Sequence, residues 1–485
     1  MSEVTRRAFC GSALAAGAVA GAGLPLAWVT GCRGRGEVSG EAGWNILFIT
    51  ADDLGWKDLA CYGNEQIRTP SLDRLADEGA RFTNAFVVAS SCAPSRASLI
   101  TGQYPHTHGV NALPWIRKRA TLSPFRTTLP GILRKAGSRT AIQGKWHPSP
   151  YLPTQWYGYR ERLSGMRPKH WGIDSAEKAL DFIERHKEQS WFLEINFMHN
   201  HRDVFGRFHG DPEFPVDPAG VHVPDYWALP DRPEIREEVA KFYSQTMKMD
   251  RIIGDLLRGL DRKGLTGNTI VVFVSDNGPP FPGCKMTCYD RGTAVPLLMR
   301  MPGHIAPRTL MHNLTSSVDI MPTLLEALGM PVPEDIEGKS FLAALTGAGS
   351  TRHRSVVFME MTHHVHYLPT RAVRTRRWKY IRNYSDIAPG LDQCNRFAWA
   401  HRLCRRPHQP WKEPRVPEEL YDVARDPNER ENLVNDAGHR TTLERMRSLL
   451  DDHMRGTDDP YLGASFTHDY DPSLYEPPEA GERDW

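Results

Sequence analysis

Short apolar runs alternate with amphipathic segments along the first half of the chain. The first run, in "WNILFITADDLG", predicts a buried strand over Asn45–Thr50 that ends in Asp52, Asp53 and a glycine turn. The next segment, "SLDRLADEGARFTNAFV", predicts a helix capped by Ser71 and then a short strand. Repeated alternation of helices and apolar strands is typical of an α/β fold, with a mainly parallel sheet and helices on both of its faces.

Polar side chains follow the later strands of this predicted sheet as well. They are Lys145 and His147 after "RTAIQG", His199 and His201 after "SWFLEINFM", and Asp276 and Asn277 after "NTIVVFVS". In such sheets, ligands bind beyond the carboxyl ends of the strands. We therefore expect these side chains to meet Asp52 and Asp53 in one site.

The pattern changes in the last quarter of the chain. The segment "SVVFMEM" predicts a strand, "RAVRTRRWKYIRNY" alternates like an antiparallel strand, and "EELYDVARDPNERENL" predicts a strand followed by a turn. These features predict a smaller α+β domain with an antiparallel sheet over residues 371–485. The larger α/β domain then spans residues 45–370.

The N-terminal segment has the pattern of an export signal rather than of a folded domain. "TRRAFCG" contains the pair Arg6 and Arg7, and a Gly-rich apolar stretch, too short to span a membrane comfortably, leads to "VTGC". This pattern resembles a twin-arginine signal with a bacterial lipoprotein cleavage site before Cys32. We expect a signal over 1–32, a linker over 33–44, a periplasmic or cell-surface location, the twin-arginine export machinery as a partner, and membrane contact only through a lipid on Cys32.

Composition adds few constraints, but the cysteines are informative. The 485 residues are 40% hydrophobic and 24% charged, and a net charge of +2 gives no indication of a nucleic-acid partner. Of eight cysteines, Cys10 and Cys32 belong to the export segment, and Cys61 is expected to be packed. The pairs Cys284/Cys288 and Cys394/Cys404 are close enough for local disulfides, although "CKMTC" also allows a zinc pair. Cys92 remains unexplained by these roles.

The acidic residues and Cys92 suggest two parts of one site. Asp52, Asp53, Asp276 and Asn277 offer only oxygen ligands, which suits a hard cation, with calcium preferred over magnesium or manganese. Each pair alone resembles an ordinary turn, but their shared position after strands favours a metal site.

The setting of Cys92 indicates an anion. Pro94 suits the first turn of a helix, so Cys92 is expected near a helix N-terminus, where amide donors favour negative charge. Arg96 lies on the same turn and can donate two hydrogen bonds to one oxyanion. The remaining donors around it are Lys145, His147, His201 and Lys285. The combination predicts a site for a sulfate-like or phosphate-like group.

The ordered motifs "ADDLG", "CAPSRASLITG", "TGQYPHTHGV", "GKWH" and "SDNG" resemble those of type I sulfatases. The resemblance implies an alkaline-phosphatase-like fold and oxidation of Cys92 to formylglycine by a formylglycine-generating enzyme. One hydroxyl of the hydrated aldehyde then attacks sulfur, and deprotonation of the other releases sulfate.

The resemblance also assigns roles to the other residues. It places one Ca²⁺ on the oxygen ligands and modified Cys92, with Arg96 stabilising the hydrate. Lys145 and Lys285 hold sulfate oxygens, His147 takes a proton, and His201, rather than His199, contacts sulfate or the leaving group. His199 is then expected to be a substrate-binding residue.

Three further segments are similar to heparan N-sulfatases: "SDNGPPFPGCK", "GTAVPLL" and "MTHHVHYLPTRAV". This similarity implies hydrolysis of the N-sulfate of glucosamine in heparan- or heparin-type glycans. It places His363, His364 and Arg371 in the sugar pocket, unless they are only domain-interface residues. The alternatives are an O-sulfatase on another sulfated polysaccharide, a phosphonate monoester or phosphodiester hydrolase, and an inactive glycan-binding lipoprotein.

Overall fold

The computed structural model describes residues 43–114, 120–165, 173–203, 206–348, 352–364, 367–387 and 414–467. These residues belong to one compact unit, Ala42–Trp485. The expected export signal, Cys32 and the pair Cys394/Cys404 lie outside the described residues. Among the residues that the structure describes, no helix has the length and apolar character needed to cross a membrane.

The described chain contains short strands and helices of very different lengths. The strands are β1 Asn45–Ala51, β2 Ala80–Phe82, β3 Ala85–Phe86, β4 Arg139–Gly144, β5 Glu161–Ser164, β6 Trp191–Asn196, β7 Thr269–Ser275, β8 Leu297–Arg300, β9 Thr309–Met311, β10 Thr315–Ser316, β11 Val356–His363, β12 Tyr367–Thr375, β13 Trp378–Asn383 and β14 Glu418–Asp422. The α-helices are α1 Pro70–Glu78, α2 Cys92–Thr101, α3 Pro105–His108, α4 Leu129–Lys135, α5 Pro153–Trp156, α6 Glu177–Arg185, α7 Pro233–Arg262, α8 Asp290–Thr293, α9 Ile320–Ala327, α10 Leu342–Thr346 and α11 Arg440–Gly456.

The large sheet has eight described strands in the order β5-β4-β6-β1-β7-β8-β2-β9. Strand β1 lies in the middle and pairs in parallel with β6, where Ile46 is opposite Phe192, and with β7, where Ile46 is opposite Ile270. Of these described strands, β8 alone runs antiparallel to its neighbours. The predicted mainly parallel sheet is confirmed, and the predicted first strand is one residue longer than expected.

Strand β1 is buried on both faces, which explains its continuous apolar sequence. Leu47 and Ile49 belong to the core that contains residues of α1, α6 and α7. Ile46 and Phe48 belong to the core on the other face, with residues of α2, α4 and α9. The alternation along one strand therefore distributes its side chains between two helical layers, as the sequence predicted.

The start of α1 differs from its prediction. The helix begins at Pro70 with Thr69 as the residue before it, so the prediction that Ser71 caps it is wrong. Proline suits the first helical position because it has no amide hydrogen to satisfy there. The next two free amides, those of Ser71 and Leu72, donate to the carboxylate of Asp250 on α7 at 3.1 and 2.8 Å.

The second sheet is antiparallel, in the order β11-β12-β13-β14. Val373 and Tyr380 pack there with Leu443 and Met446 of α11. The segment "RAVRTRRWKYIRNY" contains the end of β12 and all of β13, with a turn between them, rather than one strand. The sheet begins at β11, so the expected boundary between residues 370 and 371 falls inside β12.

The proposed local disulfide in "CKMTC" is not formed. Cys284 and Cys288 are both free, buried thiols. Cys284 belongs to the core below the large sheet and donates to the Trp227 carbonyl at 3.8 Å, whereas Cys288 belongs to the core beside the second sheet. Because the two side chains belong to different cores, they are not placed to pair. Cys61 is a partly buried free thiol packed against the main core, as expected.

Candidate active site

The carboxyl ends of four adjacent parallel strands, β4, β6, β1 and β7, meet at one edge of the large sheet. Asp52 and Asp53 follow β1, Lys145 and His147 follow β4, His201 comes after β6, and Asp276 and Asn277 follow β7. The structure therefore brings together residues separated by more than two hundred positions in the chain. It does so because these four strands are neighbours in the sheet.

A strained turn orients the two consecutive aspartates. Asp53 has a φ of 62°, in the left-handed region that Asp tolerates better than most residues. Its amide donates to Oδ1 of Asp276 at 3.1 Å, and the amide of Leu54 donates to Oγ of Ser275 at 2.9 Å. These two bonds fix the turn against the end of β7. Both carboxylates are fully buried as a result.

Each buried carboxylate has a basic partner. Lys145 Nζ lies 2.6 Å from Asp52 Oδ2, and Lys285 Nζ lies 2.8 Å from Asp53 Oδ1. Arg96 donates through Nε to Asp276 Oδ2 at 2.8 Å. Buried charges need such partners because leaving them unpaired costs several kcal/mol. The six groups form one dense ionic cluster.

The cluster shifts the pKa values of its members in opposite directions. Burial opposes ionisation of Asp52, but the charges of Lys145, His201 and Arg96 hold its pKa well below the ordinary value. Burial raises the pKa of Asp276 to about 7, although Arg96 opposes this shift. For Lys145, Asp52 outweighs the effect of burial and raises the pKa of the amine. The two acids differ because several cations act on Asp52, whereas the negative charges of Asp52 and Asp53 add to the effect of burial on Asp276.

Cys92 is the first residue of α2 and is only 1% exposed. Its Sγ lies within 4.8 Å of ligand atoms of Asp52 and His201. Burial raises the pKa of the thiol to about 12, despite the nearby charges of Lys145 and Lys285. An unmodified Cys92 is therefore a protonated thiol at neutral pH and a poor nucleophile.

The oxygen atoms of the cluster fit a divalent cation. Carboxylate oxygens of Asp52, Asp53 and Asp276 lie within 4.8 Å of one another. Asn277 donates through Nδ2 to Asp53 at 2.6 Å, which leaves its own Oδ1 available. Within the described residues, this buried Oδ1 and the Oδ1 of Asp52 accept no hydrogen bond. Buried oxygens of this kind, next to three carboxylates, are suited to a hard cation.

The histidines divide between the site and the protein interior. Burial, followed by the charge of Lys145, lowers the pKa of His147 well below its ordinary value, which keeps the ring neutral. His201 donates through Nδ1 to the Arg202 carbonyl at 2.5 Å, and its Nε2 lies 4.0 Å from Asp53 Oδ2.

His199 points elsewhere. Burial and then Lys248 lower the pKa of His199 to about 3, and its ring lies 5.4 Å from that of Phe197. The charged groups that act on it are Lys248 and Asp211, not members of the cluster. The structure thus brings His201 and not His199 to the site, and the substrate-binding role expected for His199 has no support in this placement.

The second sheet contributes to the edge of the site. His364 Nδ1 lies 2.8 Å from Oγ of Ser91, the residue before Cys92, and His363 Nδ1 donates to the His364 carbonyl at 2.8 Å. Arg371 is buried and donates to Asp459 at 3.0 Å and to main-chain carbonyls. The guanidinium of Arg371 is therefore part of a buried ion pair.

The polar groups behind Arg96 were not predicted from the sequence. Its Nη1 donates to Oδ1 of Asn196 at 2.8 Å, and Asn196 donates in turn to Glu194 at 2.7 Å. Glu194 also accepts a bond from the Tyr159 hydroxyl. The signal was present in "WFLEIN", where two polar residues interrupt the end of an otherwise apolar strand.

Comparisons with known proteins agree with this arrangement. The sulfatase family model matches residues 44–330 of the chain. The chain belongs to the sulfatase family. A second model, N-sulphoglucosamine sulphohydrolase, C-terminal, matches residues 284–390. The protein is thus a hydrolase that acts on sulfate esters or N-sulfate groups, and the predicted family is confirmed.

Two relatives illustrate the range of this sulfatase's similarity. Human N-sulphoglucosamine sulphohydrolase is 30% identical over 467 residues, covering 87% of this chain and 91% of that protein. An ulvan-active sulfatase from Formosa agariphila is 30% identical over 419 residues, covering 83% of this chain and 78% of that protein.

Solved structures share the fold of this sulfatase. One, in complex with its substrate D-glucosamine-2-N,6-O-disulfate, has a TM-score of 0.65 and 21% identity, covering 86% of this chain and 99% of the other. A 2-O GAG sulfatase has a TM-score of 0.68 and 23% identity, covering 89% of this chain and 96% of the other. The predicted sulfatase fold is confirmed.

Proposed function

We propose that this sulfatase removes the N-sulfate of glucosamine in heparan- or heparin-type glycans, after Cys92 has been oxidised to formylglycine. The observation that carries the proposal is the position of Cys92, buried at the head of α2 among three carboxylates and three cations. The match of residues 284–390 to the N-sulphoglucosamine sulphohydrolase C-terminal model supports the choice of the N-sulfate.

A calcium ion fits the proposed site. Asp52, Asp53, Asp276 and Asn277 would hold it, and the two buried oxygens that accept no hydrogen bond among the described residues support this assignment. Bound there, the ion would supply positive charge that draws in sulfate oxygens and favours deprotonation of a neighbouring hydroxyl. Modified Cys92 would face the same position because its side chain already lies within 4.8 Å of Asp52.

The chain's own residues then have separable tasks. A formylglycine hydrate supplies two hydroxyls on one carbon, one to attack sulfur and one to release sulfate. Arg96 is fixed by Asp276 and Asn196, so it presents a rigid positive fork to the hydrate. Lys145 and Lys285 hold positive charge where sulfate oxygens would bind. His147 is kept neutral by burial, so its ring can accept a proton.

The sugar-binding assignments remain predictions. We propose that His201 contacts the sulfate or protonates the leaving amine, since Nε2 faces Asp53 at the edge of the cluster. His364 lies next to Ser91, and His363 donates to the His364 carbonyl; both would face the sugar from the second sheet. Arg371 would stabilise the position of that sheet, because its guanidinium is paired with Asp459.

Sulfate release from N-sulfoglucosamine and from glucosamine 6-sulfate tests the substrate, with ion chromatography as the readout and Cys92→Ser as the inactive control. We expect release from the N-sulfated sugar and a mass for the Cys92 peptide that matches formylglycine. Release from the 6-O-sulfated sugar alone would contradict the substrate assignment. An unmodified Cys92 in active protein would contradict the mechanism.

A second candidate, an O-sulfatase on another sulfated polysaccharide, is favoured by one observation. The ulvan-active sulfatase and the human N-sulphoglucosamine sulphohydrolase have the same 30% identity to this chain. Desulfated product from ulvan, with none from the N-sulfated sugar, would select this candidate. An aryl phosphodiester in the same assay tests the phosphodiesterase alternative.

We also propose that the enzyme acts outside the cytoplasm as a lipoprotein. The twin arginines and the "VTGC" sequence before Cys32 support this location. Modification must then precede export, since the twin-arginine route carries folded proteins. Fractionation of the producing cells, with the mass of the N-terminal peptide, tests both the location and the lipid on Cys32.

A further inference from the structure

A surface groove of about 500 Å³ lies beside α4 and the segment that leads from the active site to β5. Its lining includes Phe125, Arg126, Arg134, Lys135, Trp156 and Arg160. None of these residues belongs to the candidate active site. The combination of exposed aromatic rings and basic side chains in one concave surface needs an explanation.

All the charged side chains among the described residues that line the groove are basic. Four of its described lining residues are Lys or Arg, and no Asp or Glu is among the described residues that line it. Arg134, Lys135 and Arg160 form no ion pair within the described part of the chain, whereas other exposed arginines, such as Arg185, pair with a carboxylate. For a protein with a net charge of +2, this is a local concentration of positive charge.

Helix electrostatics explain only part of this concentration. Arg134 and Lys135 lie in the last turn of α4, where cations are favoured. Arg126 and Arg160 lie outside that helix, on two other segments. Arg126 lines the groove from the segment before α4, and its guanidinium also donates to the Thr107 carbonyl and to Gln103 outside the groove. Three separate parts of the chain thus contribute positive charge to the same surface.

Two exposed rings lie among these charges. Phe125 is 94% exposed and Trp156 is 56% exposed, both far more than is usual for such large apolar side chains. Apolar rings of this kind can stack on the flat faces of pyranose sugars, while the Arg and Lys side chains bind sulfate or carboxylate groups. A lipid surface would instead favour a convex apolar patch.

The groove and the active site share one structural segment. Trp146, between Lys145 and His147, donates through Nε1 to the Tyr151 carbonyl at 2.8 Å, and its ring lies 4.9 Å from that of Tyr157. Tyr157 is flanked by Trp156 and Gly158, which line the groove. The segment that lines one side of the groove therefore packs against the segment that carries two residues of the catalytic cluster.

We propose that this groove binds the part of a sulfated glycan chain that extends beyond the reacting sugar. The inference rests on the proposed function only for the class of ligand. The groove would then raise the affinity for long chains without taking part in bond cleavage. The enzyme should discriminate between a polysaccharide and a single sulfated sugar for this reason.

Charge reversal in the groove tests the proposal. The groove variant is Arg134→Glu, Lys135→Glu and Arg160→Glu, and a matched control is Lys178→Glu, Arg440→Glu and Arg445→Glu, exposed residues elsewhere with the same change in net charge. The readouts are affinity for a heparin-derived decasaccharide by calorimetry, KM on that chain, and sulfate release from N-sulfoglucosamine. We expect at least a roughly tenfold loss of affinity and a matching rise in KM for the groove variant alone. Its activity on the single sugar should be unchanged.

A second variant, Phe125→Ala with Trp156→Ala, keeps the charge of the groove. We expect it to lose affinity for the decasaccharide but not for polyphosphate, which has no sugar faces. Equal losses in the groove and control variants, an equal loss on the single sugar, or binding to vesicles of anionic lipid with none to heparin would overturn the proposal. Groove-dependent heparin binding without sulfate release from any substrate would support the groove and contradict the proposed function.

Discussion

Replacing Arg96 tests the electrostatic account of the active site. Its side chain is 4% exposed; Nε donates to Asp276 at 2.8 Å, Nη1 donates to Asn196 at 2.8 Å, and Nη2 lies 3.8 Å from Asp52. Arg96→Ala removes the cation that faces Asp276 and leaves two buried acceptors without a donor. Breaking a buried ion pair in this way costs about 3–5 kcal/mol, so we expect a loss of that size in the free energy of unfolding.

Two further comparisons separate charge from geometry. Arg96→Lys keeps the charge, but one ammonium cannot reach both Asp276 and Asn196, so we expect the loss of one charged hydrogen bond, about 1.5–3 kcal/mol. If a divalent cation binds between Asp52 and Asp276, it should compensate for the missing guanidinium. The loss in Arg96→Ala should therefore be smaller in calcium than in a chelator.

Urea unfolding, followed by tryptophan fluorescence with and without calcium, measures these effects. Arg300→Ala is the matched control. Arg300 is also buried, and it pairs with Glu78, which is not a member of the cluster. Its destabilisation should be the same in calcium and in chelator. The reasoning is refuted if Arg96→Ala costs less than about 1 kcal/mol in chelator, or if calcium affects both variants equally.

Three other changes test other parts of the structure. Gly144→Ala should abolish sulfate release, because the φ of Gly144 is +89° and the new Cβ would lie 2.2 Å from the Asn196 carbonyl oxygen. Gly303 has a φ of +76°, but a Cβ added there would meet open space. Gly303→Ala should therefore lower the free energy of unfolding by only about 1–2 kcal/mol. Burial raises the pKa of Asp58 to about 7, above roughly 3.9 when unfolded, so its stabilising effect is complete below pH ~4 and is lost as the pH rises through 7. Asp58→Asn should flatten this slope in urea titrations across that range, and an unchanged slope would contradict the assignment. His147→Gln should lower sulfate release at least about a hundredfold while mass spectrometry still detects formylglycine, and near-normal turnover would exclude His147 as the base.

The sheet and its catalytic edge were predictable because burial on both faces leaves a strong signal. A strand such as β1 must be apolar along its length, and the polar residues that follow it must then lie at a sheet edge. Asp52, Asp276 and Lys145 could be grouped for that reason alone. The parallel arrangement of the strands allowed these three separate sequence patterns to be interpreted as one site.

The remaining features depend on contacts that no local pattern encodes. Ser71 has the residue type of a cap, but Asp250 from a distant helix satisfies its amide. His199 and His201 are two residues apart, and only the backbone path after β6 decides which one faces the cluster. Asn196 acts on Arg96 across a hundred residues of sequence. Such choices are made by tertiary packing rather than by propensity.

The charge balance of the cluster explains why an anionic substrate would need the metal. Above about pH 7, where Asp276 is ionised as well, Asp52, Asp53 and Asp276 are neutralised by Lys145, Lys285 and Arg96, so the metal-free site has no excess positive charge to offer a sulfate group. A divalent cation on the carboxylates would add two positive charges and weaken the hold of these acids on the lysines. The lysines would then be available to sulfate oxygens. Affinity for inorganic sulfate should therefore rise with calcium, and Lys145→Ala should reduce that rise; calcium-independent sulfate binding would contradict this account of the site.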